Sequence, residues 1–166
     1  MRLLNFANLI MILLLSTLIA CSDNTTTKLD NANTKLSVYK NPQCGCCNKW
    51  ITHLEKSGFQ IDTGYLDAPE VNALKSKIKN VSKYLSCHTG VYQGKYIFEG
   101  HIPAKFITQF LSETPEDALG LAVPGMPVGS PGMEVDNKFS PYDILLIRNN
   151  GAHEVYSHID NYEEQF

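Results

Sequence analysis

The sequence predicts a mixed α/β fold with element order βαβαββα, and two observations carry that expectation. Strand-like and helix-like apolar patterns alternate from residue 36 onward, and the first strand-to-helix junction holds a Cys44-x-x-Cys47 motif. Residues 36–39 read as the first strand. The helix after it sets Cys47, Trp50, Ile51 and Leu54 on one face and ends near Gly58. Residues 61–65 form the second strand. Asp67-Ala68-Pro69-Glu70 opens a second helix in the manner of a capping box, with Val71, Leu74 and Ile78 behind it. Val91-Tyr92 and residues 96–99 are two short strands joined by the turn Gln93-Gly94-Lys95. A third helix starts at Pro103 and carries Phe106, Ile107, Phe110 and Leu111. A Pro/Gly-rich loop over 124–133 and a C-terminal hairpin, residues 142–147 and 154–159 about Asn149-Asn150-Gly151, complete the chain.

The N-terminus sets the redox compartment. Arg2, the apolar run over 9–15 and Leu18-Ile19-Ala20-Cys21 have the charged, apolar and small-residue order of an export signal, too short for a comfortable membrane span. Leu18-Ile19-Ala20-Cys21 also resembles a bacterial lipobox, which makes residues 1–20 a lipoprotein signal peptide and Cys21 the lipidated first residue of the mature chain. Residues 21–35, polar and rich in Asn and Thr, read as a flexible tether, and residues 36–160 as one domain. The 146 residues from Cys21 bury a real core without a disulfide scaffold. They carry 13 basic and 17 acidic side chains, a net charge of −4 with no basic run, so nucleic acid is not an expected partner. The expected location is the periplasm, tethered by lipid to a bacterial membrane.

The chemistry concentrates in cysteine. Cys44, Cys46 and Cys47 crowd the start of a helix near Lys40 and Lys49, where positive potential favours thiolate, the form that attacks and that binds metal. An α/β unit opened by C-x-x-C is the thioredoxin-like arrangement, in which the loop entering the third strand lies against the dithiol. Such proteins usually place a cis-proline there. Here the chain has no proline between Pro69 and Pro103, and the loop supplies Cys87 and His88 instead. The expectation is a site that closes around metal. His101, at a strand-to-helix junction, is a further candidate ligand or a residue that orients one. Pro-Gly-Met occurs twice in the stiff loop, giving Met126 and Met133, and thioether with thiolate is the soft donor set that selects Cu(I). His53, His153 and His158 are assigned no role.

These residues fall in segments that closely resemble one family. Residues 38–47, Ser86-Cys87-His88-Thr89, residues 99–104 and residues 120–134 match, in order, motifs of the CopG-type periplasmic copper-resistance proteins, long known as a domain of unknown function with metal-binding character. The resemblance spans about residues 36–159. It implies a thioredoxin-like fold that binds copper and helps resist it, with Cys44, Cys46, Cys47 and Cys87 as thiolate ligands and His88, His101, Met126 and Met133 as additions. Four thiolates bridge several Cu(I) ions readily, since sulfur shares its lone pairs between soft cations, whereas a structural zinc site favours two separated ligand pairs. Cys44 and Cys47 are also a dithiol, so interconversion of Cu(I) and Cu(II) is a second expected activity, with periplasmic copper-handling proteins as partners.

Two rival chemistries fit part of the motif. A thiol-disulfide oxidoreductase would use Cys44 as nucleophile and Cys47 as resolving thiol, but the absent cis-proline and the extra Cys87 oppose it. An arsenate-reductase-like enzyme is suggested by Asn41-Pro42-x-Cys44-Gly45. Arsenate calls for arginine forks, and the chain has only Arg2 and Arg148.

Overall fold

The computed structural model describes residues 31–65, 69, 73, 76, 84 and 86–166. The signal segment, Cys21, most of the tether and most of the helix expected from Asp67 to Ile78 lie outside the described residues. Within them the chain is mixed α/β, as expected, with seven strands and two α-helices. Strand β1, Lys35–Lys40, leads into helix α1, Gly45–Lys56, then strand β2, Gln60–Tyr65. Strands β3, His88–Tyr92, and β4, Tyr96–Glu99, precede helix α2, Ala104–Ser112. Strands β5, Ala118–Ala122, β6, Tyr142–Arg148, and β7, His153–Ile159, follow. Short 3-10 turns at Asn31–Asn33 and Tyr162–Gln165 bracket the whole.

All seven strands join one sheet in the order β2-β1-β3-β4-β5-β6-β7. β1 runs parallel to β2 and antiparallel to β3, with Lys40 opposite His88. β4 then runs parallel to β5, while the remaining pairs are antiparallel. Strand β5 is absent from the expected element order, and its sequence explains why. Ala-Leu-Gly-Leu-Ala lacks β-branched and aromatic residues, yet all five residues are buried in the middle of the sheet. A side chain at Gly120 would collide with the Ile97 carbonyl oxygen on the paired strand. The residue that makes this strand hard to read is the one that lets it pack.

Leu36 and Val38 of β1, Trp50, Ile51 and Leu54 of α1, and Phe106, Ile107 and Phe110 of α2 share one buried cluster with Phe98, Leu121 and Ile144 of the sheet. Tyr84, Val91, Ile97, Leu119, Ala122 and Ile147 form the second cluster. Helix α1 is fixed at both ends. The Cys44 sulfur accepts the Cys47 N–H as an N-cap, and Gly58, at φ +94°, turns the chain out after Ser57. Pro103 caps α2 without a side-chain acceptor, and His53 of α1 supplies one by accepting the Ala104 N–H at 2.9 Å.

Gly120→Ala is therefore expected to lower stability by about 2 kcal/mol or more, because a new methyl must push two paired backbones apart. Gly45→Ala, whose added methyl meets open space in the first turn of α1, is expected to be neutral or mildly stabilising. Urea midpoints of the two variants measure the contrast.

Candidate metal centre

The centre begins with strand register. Because Lys40 pairs with His88, the next residue on one strand and the preceding one on the other are brought face to face, and Asn41 donates its N–H to the Cys87 carbonyl at 3.2 Å. Between β1 and α1 the Asn41 side chain accepts the Gln43 N–H and the Asn41 carbonyl accepts the Cys44 N–H. This turn delivers Cys44 to the cap position, with Cys46 and Cys47 in the first turn of the helix. The sulfurs of Cys44, Cys46, Cys47 and Cys87 lie within 4.8 Å of one another. Cys44 and Cys47 are joined by a disulfide, and the Cys87 sulfur sits 3.1 Å from each of them. Cys46 is free, 3.4 Å from Cys44 and 4.0 Å from Cys87.

Two imidazoles stand behind the sulfurs. His88 and His101 are fully buried, edge to face with ring centroids 4.9 Å apart, and His88 also packs on Trp50 at 4.4 Å. Trp50 is held by its own N–H on the Ile102 carbonyl. The Cys87 sulfur and one nitrogen from each histidine form a second group within 4.8 Å. Burial holds His101 below the ordinary histidine range, against the opposing pull of the Pro131 carbonyl and Glu134, so its ring is neutral and keeps a lone pair for a metal.

Cys87 runs against the thiolate bias expected of the helix start. Burial first, and then the neighbouring Cys46, push its thiol from the ordinary 9.0 up to about 11. Glu99, itself buried, adds to the same effect from behind the loop. Its carboxylate accepts from the Thr89 hydroxyl at 2.8 Å and from Ser86 through both hydroxyl and N–H, clamping the loop on either side of Cys87 and His88. Sequence reasoning assigned Glu99 and Trp50 no role at the site. The available signal was a carboxylate closing the otherwise apolar strand Tyr-Ile-Phe-Glu, since buried acids persist where they are hydrogen-bonded.

The Pro/Gly loop folds over this centre through its backbone. A side chain at Gly132 would strike the Cys46 carbonyl and the Trp50 amide, so only glycine lets the loop lie on the first turn of α1. Pro131 accepts the His101 Nδ1–H at 2.8 Å. Met133, next to Gly132, is half-buried, while Met126 is 44% exposed at the far end of the loop with φ +50°. The four cysteines and two histidines are thus brought together, while the Met126 side chain is exposed to solvent. Among the histidines given no role, His153 bonds to the Tyr84 hydroxyl, and exposed His158 pairs with Asp143 and Asp160.

Two solved structures of copper resistance protein CopG resemble the chain over nearly their whole length. Form 1 is 35% identical with a TM-score of 0.67, covering 77% of this chain and 98% of its own. The chain belongs to the CopG family of copper resistance proteins. Form 2 is 36% identical with a TM-score of 0.65, over 76% of this chain and 98% of its own. A family model described as "Protein of unknown function, DUF411" matches residues 84–133, which run from Tyr84 through the Cys87 loop to Met133. No curated protein sequence matches significantly. The CopG relationship and the sulfur cluster together mark a site able to hold metal.

The shifted thiol gives a pH test. With its thiol pushed up to about 11, Cys87 holds far less thiolate at neutral pH than an ordinary cysteine. In metal-free protein its alkylation rate, followed by peptide mass spectrometry, is expected to climb steadily to an inflection near pH 11. An inflection at the ordinary 9.0 would show the thiol to be unperturbed.

Proposed function

We propose that the protein takes up copper as cargo at the Cys44, Cys46, Cys47 and Cys87 sulfurs, in a copper resistance or homeostasis role outside the cytoplasm. The observation that carries this reading is the convergence of four sulfurs within 4.8 Å, from two segments forty residues apart. Once the disulfide is reduced, four thiolates in so small a volume bridge several Cu(I) ions and suit them better than harder cations. Met126 and Met133 add thioethers on the covering loop, and His88 and His101 add imidazole from behind. CopG relatives are named for copper resistance, which fits copper as the ion.

The same residues support an electron exchange. Two Cu(I) ions each give one electron to the Cys44–Cys47 disulfide, the S–S bond breaks, and the products are two Cu(II) ions and two thiolates. The reverse direction stores reducing equivalents as Cu(I). Cys44 and Cys47 are the redox pair in this reading. A general thiol-disulfide oxidoreductase is favoured by the disulfide alone; Cys87 lying 3.1 Å from both of its sulfurs leaves an incoming protein thiol little room. Insulin reduction is accordingly expected to be absent.

Reduced protein is expected to bind more than one equivalent of Cu(I) in competition with a Cu(I) chelator. Cys87→Ser should weaken that binding more than about 100-fold, since a complete four-ligand site worth roughly 10–16 kcal/mol loses several with one ligand. Met126 and Met133 substitutions should weaken Cu(I) more than Cu(II). Saturation at one equivalent, or wild-type binding by folded Cys87→Ser protein, would contradict the shared site.

Attachment is a separate proposal. Lipid on Cys21 anchors the protein to a bacterial membrane through the tether, where it meets copper ions and the periplasmic proteins that handle them. Cys21→Ser is expected to release the protein into the soluble fraction with copper binding unchanged. Retention on membranes after a high-salt wash would show another attachment.

A further inference from the structure

We infer that His53 is a pH-operated latch between helices α1 and α2, which holds the start of α2 against α1 while its ring is neutral and releases it in acid, loosening the segment that leads back to His101. The latch is a property of the fold. Its use, a weaker grip on cargo in acid surroundings, rests on the copper-cargo reading.

Two hydrogen bonds tie α1 to the chain at the start of α2, from side chains one helical turn apart. The Trp50 indole N–H donates to the Ile102 carbonyl at 2.8 Å, and His53 Nε2 accepts the Ala104 N–H at 2.9 Å. The first bond does not titrate. The second does. A backbone N–H only donates, so His53 Nε2 holds a lone pair and the ring proton sits on Nδ1. A second proton on the ring would set two N–H groups head to head. Pro103 offers α2 no side-chain cap and Ala104 is only 2% exposed, so the abandoned amide would be left buried without an acceptor. The imidazolium would also face the positive end of the α2 dipole. Both effects oppose the closed arrangement once acid protonates the ring.

The ionisable groups around His53 come from four elements. Lys49 and Lys56 lie on its own helix, Glu134 beside the Pro/Gly loop, Lys105 next to Ala104 on α2, and Tyr162 on the C-terminal turn, from which the Phe166 ring meets His53 edge-on at 5.9 Å. Burial lowers the His53 pKa from the ordinary 6.5, Glu134 opposes that, and Lys56 adds to it. Glu134 thus attracts the protonated ring as the Ala104 amide repels it. Because the folded value lies below the unfolded one, the unfolded chain takes up the proton first. The latch contributes fully above pH 6.5 and is lost as pH falls through the lowered value. With it open, the Trp50 bond remains as the hydrogen bond from α1 to this segment among the described residues.

The test uses full-length, metal-free protein. In NMR spectra of the wild-type chain the Ala104 amide signal is expected to move with the His53 ring, the two sharing a midpoint below pH 6.5. The exposed His158 ring, raised first by its hydrogen bond to Asp143 and further by Asp160, is expected to titrate above 6.5 and leave Ala104 unmoved. His53→Gln keeps an acceptor but cannot titrate. The ratio of wild-type to His53→Gln hydrogen-exchange rates at the Ile102 and Ala104 amides is expected to rise about threefold or more from about pH 8 to about pH 5, since intrinsic exchange is the same in both proteins at each pH. The wild-type titration needs no variant, so it stands even if His53→Gln fails to fold. A His53 ring that titrates while the Ala104 amide stays flat overturns the inference, as does a His53 midpoint at or above 6.5, or an exchange ratio that does not change with pH. Failure of the copper-cargo reading shows elsewhere, in the Cu(I) titration of reduced protein at neutral pH, where the latch is shut.

Discussion

The hydrogen bond from the Asn41 amide to the Cys87 carbonyl holds together the two parts of the chain on which the site depends. It continues the pairing of β1 with β3 one step past Lys40 and His88, just where the chain leaves the sheet for the helix start. From that point the cap geometry turns Cys44 inward, the first helical turn presents Cys46 and Cys47, and Cys87 meets them from the opposite strand. A shift of one residue in that register would send the Cys87 side chain to the other face of the sheet and dissolve the cluster. The site is therefore as exact as the sheet, and the sheet is fixed by a core that packs α1 and α2 on one face.

Around this point the protein holds the Cys87 thiol and the His101 ring uncharged. Burial raises the Cys87 thiol and lowers His101, and both effects favour neutral forms in the absence of metal. The surrounding polar groups are arranged to match. Glu99 clamps the loop that bears Cys87 and His88, while Gly100 and Pro131 carbonyls fix the two imidazole rings. A metal ion entering such a site trades a proton for a cation, which ties its binding to pH and makes the protein's own stability depend on loading. The closed disulfide adds a second dependence, since it withdraws two sulfurs that only a reductant returns.

Much of this was legible in the sequence, for physical reasons that can be named. The strand at Lys35–Lys40 and both described helices follow apolar periodicity closely, because each has one face in the core, and the strand at Tyr96–Glu99 is marked by the Gln93-Gly94-Lys95 turn before it. The cysteines and the two histidines stood out because thiols and imidazoles are rare and chemically specific. Strand β5 was not legible, since a fully buried strand of small residues carries no alternation and its glycine is there for the neighbouring backbone. Glu99 and the packing of Gly132 on α1 were hidden for a related reason. Their meaning lies in contacts between segments distant in sequence, and no local pattern records which carbonyl a buried acid or a glycine will face.

The most direct measurement is X-ray absorption at the copper edge of reduced, Cu(I)-loaded protein. Sulfur scatterers filling the first shell, with a copper-to-copper distance behind them, are expected if four cysteines bridge more than one ion. A first shell made mainly of nitrogen and oxygen, with no copper neighbour, would contradict copper held by the cysteine cluster.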